Sequence, residues 1–445
     1  MRFPFAPRPS AAVRRSCVAA VLAGLAAAPS VFAQTVPVDC NPRDKAIESC
    51  TVDTTVQVDW NALQVLLRDQ LAPFAGEGTT LADVKITFSG RARATAPLAR
   101  TDEDKHDEVV TTKPVRSDSW RMFNPGTRNE FQLTSPATLR TRIHEQMLQT
   151  GQTRPLRGRV GDGGGDSPDN TGRFAPGGVS TNAWSAGNDS RVRHTETTSW
   201  PWRTIGDMGG CTGTFIGPRH IVTAGHCIYS RSSFAWTSGF TLVPGRDANT
   251  KPYGQTTMPP VAGQTGWYFT PAGFRQASPS GGASQYDFAV VVVPDRLGDT
   301  VGWMGYGTLT ATTMRASSHF LRGYPFCESE TTGSGERIDE PVPCVINGFY
   351  AGDPCIVGDF SVVDGDNWNR RVTHGCDASA ANSGSAIYSY QDGFGPFVSM
   401  IHTTSLKCAF VGDSPCTAAD LFPLQATRLT PEYTGWVSYF RNLFP

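Results

Sequence analysis

The period of the hydrophobic positions changes along the chain, and each change marks a different kind of element. Arg14 and Arg15 precede an apolar run over 18–28, with the small residues Val31 and Ala33 placed for signal-peptidase cleavage, so 1–33 reads as a signal peptide and the mature chain is expected to begin near Gln34. The run is shorter than the roughly 20 residues a membrane span needs, and no later stretch is long and apolar enough. Trp60, Leu63, Leu67 and Leu71 recur at helical spacing, whereas Val84, Ile86 and Phe88 alternate as in a strand. A second helix is predicted from Pro136, with Ser135 as N-cap, Leu139, Ile143 and Met147 on one face, and Gly151 as the stop. These elements are expected to form a small α+β unit that could fold alone.

From 154 to 187 the chain turns to glycine, proline and polar residues, including Gly163-Gly164-Gly165 and Pro176-Gly177-Gly178. Such a segment buries little apolar surface and reads as an exposed, cleavable linker. Beyond it come short β-rich runs separated by Gly/Pro turns, the pattern of an all-β barrel or sandwich. Residues 211–216 and 220–223 look like one hairpin, and 385–390 with 397–403 like another, turning at Asp392-Gly393. A closing helix is predicted with Thr430 as cap, Pro431 in the first turn, and Tyr433, Trp436, Val437 and Phe440 on its apolar face. There is no internal repeat. The expected organisation is signal peptide 1–33, propeptide with linker 34–183, and an all-β domain 184–445.

Composition narrows the chemistry. With 39 Lys+Arg against 40 Asp+Glu there is no basic footprint for nucleic acid, and none is expected as a partner. Of eleven cysteines, Cys17 lies in the presumed signal peptide, leaving an even number for an oxidising compartment. Cys40 with Cys50, Cys211 with Cys227, and Cys408 with Cys416 are near neighbours, while Cys327, Cys344, Cys355 and Cys376 allow three connectivities. No pair has the short spacing of common zinc sites, so no metal or cofactor is expected.

Thr223-Ala224-Gly225-His226-Cys227 carries the strongest local signal, a histidine after a strand whose neighbouring cysteine can be tied back to Cys211. A lone histidine is more often structural. Ala381-Asn382-Ser383-Gly384-Ser385, a turn of small residues between β segments, can present a hydroxyl, which needs a base, an acid to orient the base, and amides facing the oxyanion. The amides of Ala381 and Ser383 are the expected oxyanion donors. Tyr286-Asp287-Phe288-Ala289 supplies a carboxylate at the edge of the apolar run 290–293, where an imidazole N–H would satisfy it. The order His226, Asp287, Ser383 is the chymotrypsin order, unlike that of subtilisins or α/β-hydrolases, and no G-x-S-x-G elbow was found.

Over 187–445 the sequence resembles the bacterial glutamyl endopeptidases among the chymotrypsin-like serine proteases. The resemblance includes Thr197-Thr198-Ser199-Trp200-Pro201-Trp202, Cys211-Thr212-Gly213, Ile216-Gly217-Pro218, Ile228-Tyr229, Pro244-Gly245-Arg246, Gly298-Asp299-Thr300-Val301-Gly302 and Gly323-Tyr324-Pro325. It implies a double β-barrel with the triad between the barrels, a C-terminal helix, and a secreted monomer that acts on protein or peptide substrates and is made with its own propeptide. It also implies that His402, beside Thr403, binds a substrate glutamate, a carboxylate partner an imidazole can serve. Ala378 stands where the family usually has a hydroxyl, and Ala380-Ala381 replaces a glycine pair, where an unusual backbone angle would strain alanine.

Asp377 lies six positions before Ser383, the spacing of a lysine- or arginine-binding acid, and a structural Asp turn explains it equally. Because Asn382 precedes the nucleophile, a freed N-terminus cannot form the pancreatic ion pair there. The resemblance instead implies that a new α-amino group, starting within 178–187, completes the specificity pocket. The alternative from another class is a binding protein on a protease fold, its turnover lost through the Ala380-Ala381 turn.

Overall fold

A computed structural model describes residues 35–74, 81–96, 119–159, 190–261, 264–276, 283–327, 344–361, 370–379, 381–391, 394–404 and 424–445. The signal-peptide reading, most of the linker, Ala380, Asp392-Gly393 and the Cys408–Cys416 pair lie outside these residues.

In the N-terminal region, α1 (Thr54–Leu71) begins where the Asp53 carboxylate accepts the N–H groups of Thr55 and Val56, and it buries Trp60, Leu63, Leu67 and Leu71 as their spacing requires. Three strands follow: β1 (Lys85–Ala92), β2 (Ser119–Phe123) and β3 (Asn129–Thr134). Next comes α2 (Ala137–Gln149). Its cap differs from expectation. Pro136 occupies the N-cap position and no side chain caps the helix, because a ring fixed near helical φ lets the turn start one residue later than a Ser135 cap would. At the other end Gly151 takes φ +73, the left-handed conformation that stops a helix.

The β-rich region after the linker starts with β4 (Ile205–Asp207), β5 (Thr212–Phe215), β6 (His220–Thr223) and β7 (Phe240–Pro244). It continues with β8 (Trp267–Pro271) and β9 (Ala289–Val292). The second half holds β10 (Phe320–Gly323), β11 (Arg371–His374), β12 (Ala386–Gln391), β13 (Gly395–Thr404) and β14 (Leu424–Arg428). Helix α3 (Pro431–Leu443) closes the chain, capped by Thr430 with Pro431 in its first turn.

Two curled antiparallel sheets therefore stand in tandem before a C-terminal helix, the fold class the resemblance implies. The predicted hairpins are present, β5 pairing with β6 at Thr214↔Val222 and β12 with β13 at Ala386↔Ile401. Disulfides join Cys40–Cys50 and Cys211–Cys227, and the open set resolves into Cys327–Cys344 and Cys355–Cys376.

One arrangement was not foreseen. The first sheet runs Ile47–Ser49, β1, β3, β2, β8, β9, β6, β5, β4, β7, Thr256–Met258, so the N-terminal strands continue the sheet of β4–β9 through the edge of β8. Trp120, Phe131, Leu139 and Ile143 share one buried apolar cluster with Phe269, Trp436 and Phe440. The N-terminal elements thus have no separate core, and the chain from Val36 to Pro445 forms one compact unit.

Candidate active site

The β6–β9 pairing, with Ala289 opposite Thr223, brings the residues just beyond β6 to those just before β9. His226 and Asp287 meet there. Asp287 Oδ2 lies 2.7 Å from His226 Nδ1, and Oδ1 accepts the His226 backbone N–H at 2.9 Å. Both residues are buried, so the pair works in a low dielectric where this contact is strong. Gly225 makes the approach possible, since a Cβ there would sit 3.0 Å from Asp287 Oδ1 and from Phe274. From the second half, Thr427 Oγ1 donates to the Asp287 carbonyl at 3.1 Å. The Cys211–Cys227 disulfide anchors the residue after His226 to the strand beside it.

Thr212, at the start of β5, ties the turn of Ser383 to this floor. Its N–H donates to the Ser383 carbonyl at 2.8 Å, its hydroxyl donates to the Ala381 carbonyl at 3.4 Å, and its own carbonyl accepts from Thr223 Oγ1 at 2.9 Å. Gly384 takes φ +83, and a Cβ there would overlap Thr223 Oγ1 and the Thr212 carbonyl. Within the turn Asn382 N–H donates to the Ser379 carbonyl at 3.0 Å. Ala381 adopts φ +67, the left-handed backbone that glycine would take without strain, as its sequence had foreshadowed.

Two contributors went unnoticed in the sequence. Arg191, buried just after the linker, donates through Nη1 to Ser379 Oγ at 2.6 Å and to Asn382 Oδ1 at 3.2 Å, bracing the turn from below. His374 on β11 places Nε2 3.0 Å from His402 Nδ1, with both rings buried. His374 Nδ1 accepts the Cys376 N–H at 3.2 Å, and burial holds the ring well below the ordinary histidine value, with His402 adding to the effect. A neutral His374 with an accepting Nδ1 carries its proton on Nε2. It therefore donates to His402 Nδ1, which leaves the His402 proton on Nε2. His374 has no sequence signal beyond being a histidine in a strand.

Each of the other expected specificity residues has its own surroundings. Thr403 is buried and donates to the Gln425 carbonyl at 3.3 Å, and Ala378 is buried in an apolar cluster with Ile387 and Met400. Asp377 Oδ2 accepts from the Ser190 N–H at 3.0 Å and from the Ser190 hydroxyl. Cys211, Cys227 and His226 bring S and N donors together, but both sulfurs are in a disulfide and His226 Nδ1 faces Asp287, so they offer no thiolate set.

A buried His–Asp pair beside a tightly held serine turn is the arrangement expected of a chymotrypsin-like serine peptidase. Residues 211–394 match the trypsin-like peptidase domain. The chain is similar to curated bacterial peptidases over part of its length. It is 36% identical over 160 residues to the glutamyl endopeptidase of Bacillus licheniformis, covering 35% of this chain and 46% of that protein. It is 31% identical over 151 residues to the extracellular metalloprotease of Bacillus subtilis, covering 31% of this chain and 44% of that protein. The matched regions span less than half the length of either relative. A solved Glu endopeptidase structure aligns at 23% identity and a TM-score of 0.41, covering 57% of this chain and 98% of that one.

Proposed function

We propose that the protein is a secreted serine endopeptidase that hydrolyses peptide bonds through an acyl-enzyme, with Ser383 as nucleophile, His226 as general base and acid, and Asp287 as the group that orients and stabilises the imidazole. The observation that carries this is the pair of hydrogen bonds that buried Asp287 accepts from the ring and backbone of His226. It fixes Nδ1 as the donor and so leaves Nε2 as the basic nitrogen. Ser383 gives up its proton as it attacks the carbonyl, the amides of Ala381 and Ser383 stabilise the oxyanion, and the imidazolium returns the proton to the leaving amine. Secretion is supported by the leader-like start of the sequence and by four disulfides among the described residues.

Glutamate is the proposed residue before the scissile bond. The His374–His402 hydrogen bond supports it, because it commits the His402 proton to Nε2, the donor a carboxylate needs. A lysine or arginine preference is disfavoured by Asp377, whose Oδ2 already receives two donors from Ser190. The proposed mature enzyme arises by cleavage within 178–187. The left-handed Ala381 favours a second reading, a protease fold without turnover.

The deciding experiment is a cleavage map of a denatured protein mixture, comparing secreted wild-type material with Ser383→Ala. Cuts after glutamate that vanish in the variant are the expected result. Cuts after lysine or arginine would assign the specificity to Asp377. No cuts beyond the control, and no labelling by a serine-directed phosphonate, would leave the binding-protein reading.

A further inference from the structure

The N-terminal region is joined to the catalytic region by three independent kinds of contact. The first is main-chain pairing. Strand β2 runs antiparallel to β8 from Trp120↔Pro271 to Phe123↔Tyr268, and Ala94–Thr95 pairs with Trp236 and Thr237. Removing residues 36–159 would leave the full edge of β8 unpaired, which is costly for a strand whose residues are all buried.

The second is apolar. Helix α2 packs along α3, and the buried Trp120 ring lies 5.6 Å from Trp436, 5.1 Å from Phe440 and 5.8 Å from Phe288, the neighbour of Asp287. The third is ionic. Glu130 is fully buried; it pairs with Arg275 of the catalytic region and accepts the Trp236 Nε1–H at 2.7 Å. Arg275 also reaches Asp44 at 2.6 Å, so both of these acidic partners belong to the N-terminal region. Withdrawing them would strip the Arg275 guanidinium of both carboxylates at once.

We propose that residues 36–159 are a permanent lobe of the protein, so that cutting the linker yields a two-chain complex held by the β8 edge, the α2–α3 contact and the Glu130–Arg275 pair. This rests on the proposed linker cleavage but not on catalysis. It departs from the expectation of a removable propeptide: the lobe supports the back of the sheet, behind Phe288.

The test uses the chain from Gln34 onward carrying Ser383→Ala, with a recognition sequence for a site-specific protease inserted between Gly165 and Asp166. After complete cutting, native size-exclusion chromatography is expected to return both fragments in one peak at equal amounts, separating only in denaturant. An N-terminal fragment that elutes alone overturns the proposal, whether the remainder stays in solution or precipitates. A Met122→Asp, Glu130→Lys double variant is expected to release its N-terminal fragment on cutting, and retention there would overturn the assigned interface. Since Ser383→Ala does not turn over, neither outcome depends on the peptidase reading, which the cleavage map tests separately.

Discussion

In the first half of the catalytic region, β9 is alanine and valine throughout, every side chain buried, with His226 and Asp287 set at its end; in the second half the strands enclose His319, Arg322, His374, His402 and Arg428. The first half holds one pair of side chains 2.7 Å apart, a task for a dry, close-packed floor. The second half carries the serine turn and the proposed carboxylate-binding histidine, so polar groups must stay inside, each desolvated and offset by a hydrogen bond such as His374 to His402. Arg203, Asp207 and His220 are buried in the first half as well, so the contrast lies between the apolar strand β9 beside the His226–Asp287 pair and the polar strands around His402.

The comparison can be broken most severely at the floor. Asp287→Asn is expected to lower kcat by about 10⁴-fold through loss of the correct imidazole tautomer, measured by steady-state hydrolysis of a peptide substrate, and Ser383→Ala to do at least as much. Wild-type rates in either variant would remove the triad. On the polar side, His402→Ala is expected to cost about 10–100-fold in kcat/KM on glutamate substrates, the range for one hydrogen bond to a charged group, while hydrolysis of neutral substrates changes little. Equal losses on both would make His402 structural.

Arg191 sharpens the contrast, because it reaches the serine turn from the start of the described catalytic chain. As a positioning residue it should act on turnover. Arg191→Ala is expected to lower kcat about tenfold with KM less affected, and Arg191→Lys to recover part of the loss. A change in KM alone would contradict the bracing role.

Acid should unfold the molecule through its buried histidines. His319 and His374 sit below the ordinary value of 6.5 because burial disfavours their charged forms. The unfolded chain then takes up protons as pH falls through about 6.5 and the folded chain does not, so stability is full above that pH and declines below it, by at most about 1.4 kcal/mol per pH unit for each histidine. Denaturant titrations from pH 7.5 to 5 check this, and His319→Gln should flatten the slope. The smallest effect is expected at Ala381, where glycine removes the left-handed strain and should raise stability by about 1 kcal/mol, read from thermal unfolding.

What the sequence by itself determined is what neighbours along the chain control. Helical spacing placed the buried faces of α1 and α3, Thr430 and Pro431 marked the start of α3, and glycine-separated β runs located both hairpins. His226 was legible because Cys227 and the preceding strand flag it locally, and the sequence order of His226, Asp287 and Ser383 carried the fold class. The Ser135 cap failed narrowly, since two adjacent residues compete for one helix start. Only the tertiary structure decided which long-range partners meet: Thr212 with Ser383, Arg191 with Asn382, His374 with His402, and Glu130 with Arg275. It alone joined β2 to β8, merging the N-terminal elements with the catalytic core. The physical reason is that a strand's hydrogen-bonding edge is main chain, alike in every sequence, so periodicity tells which face is buried but not which edge it pairs with.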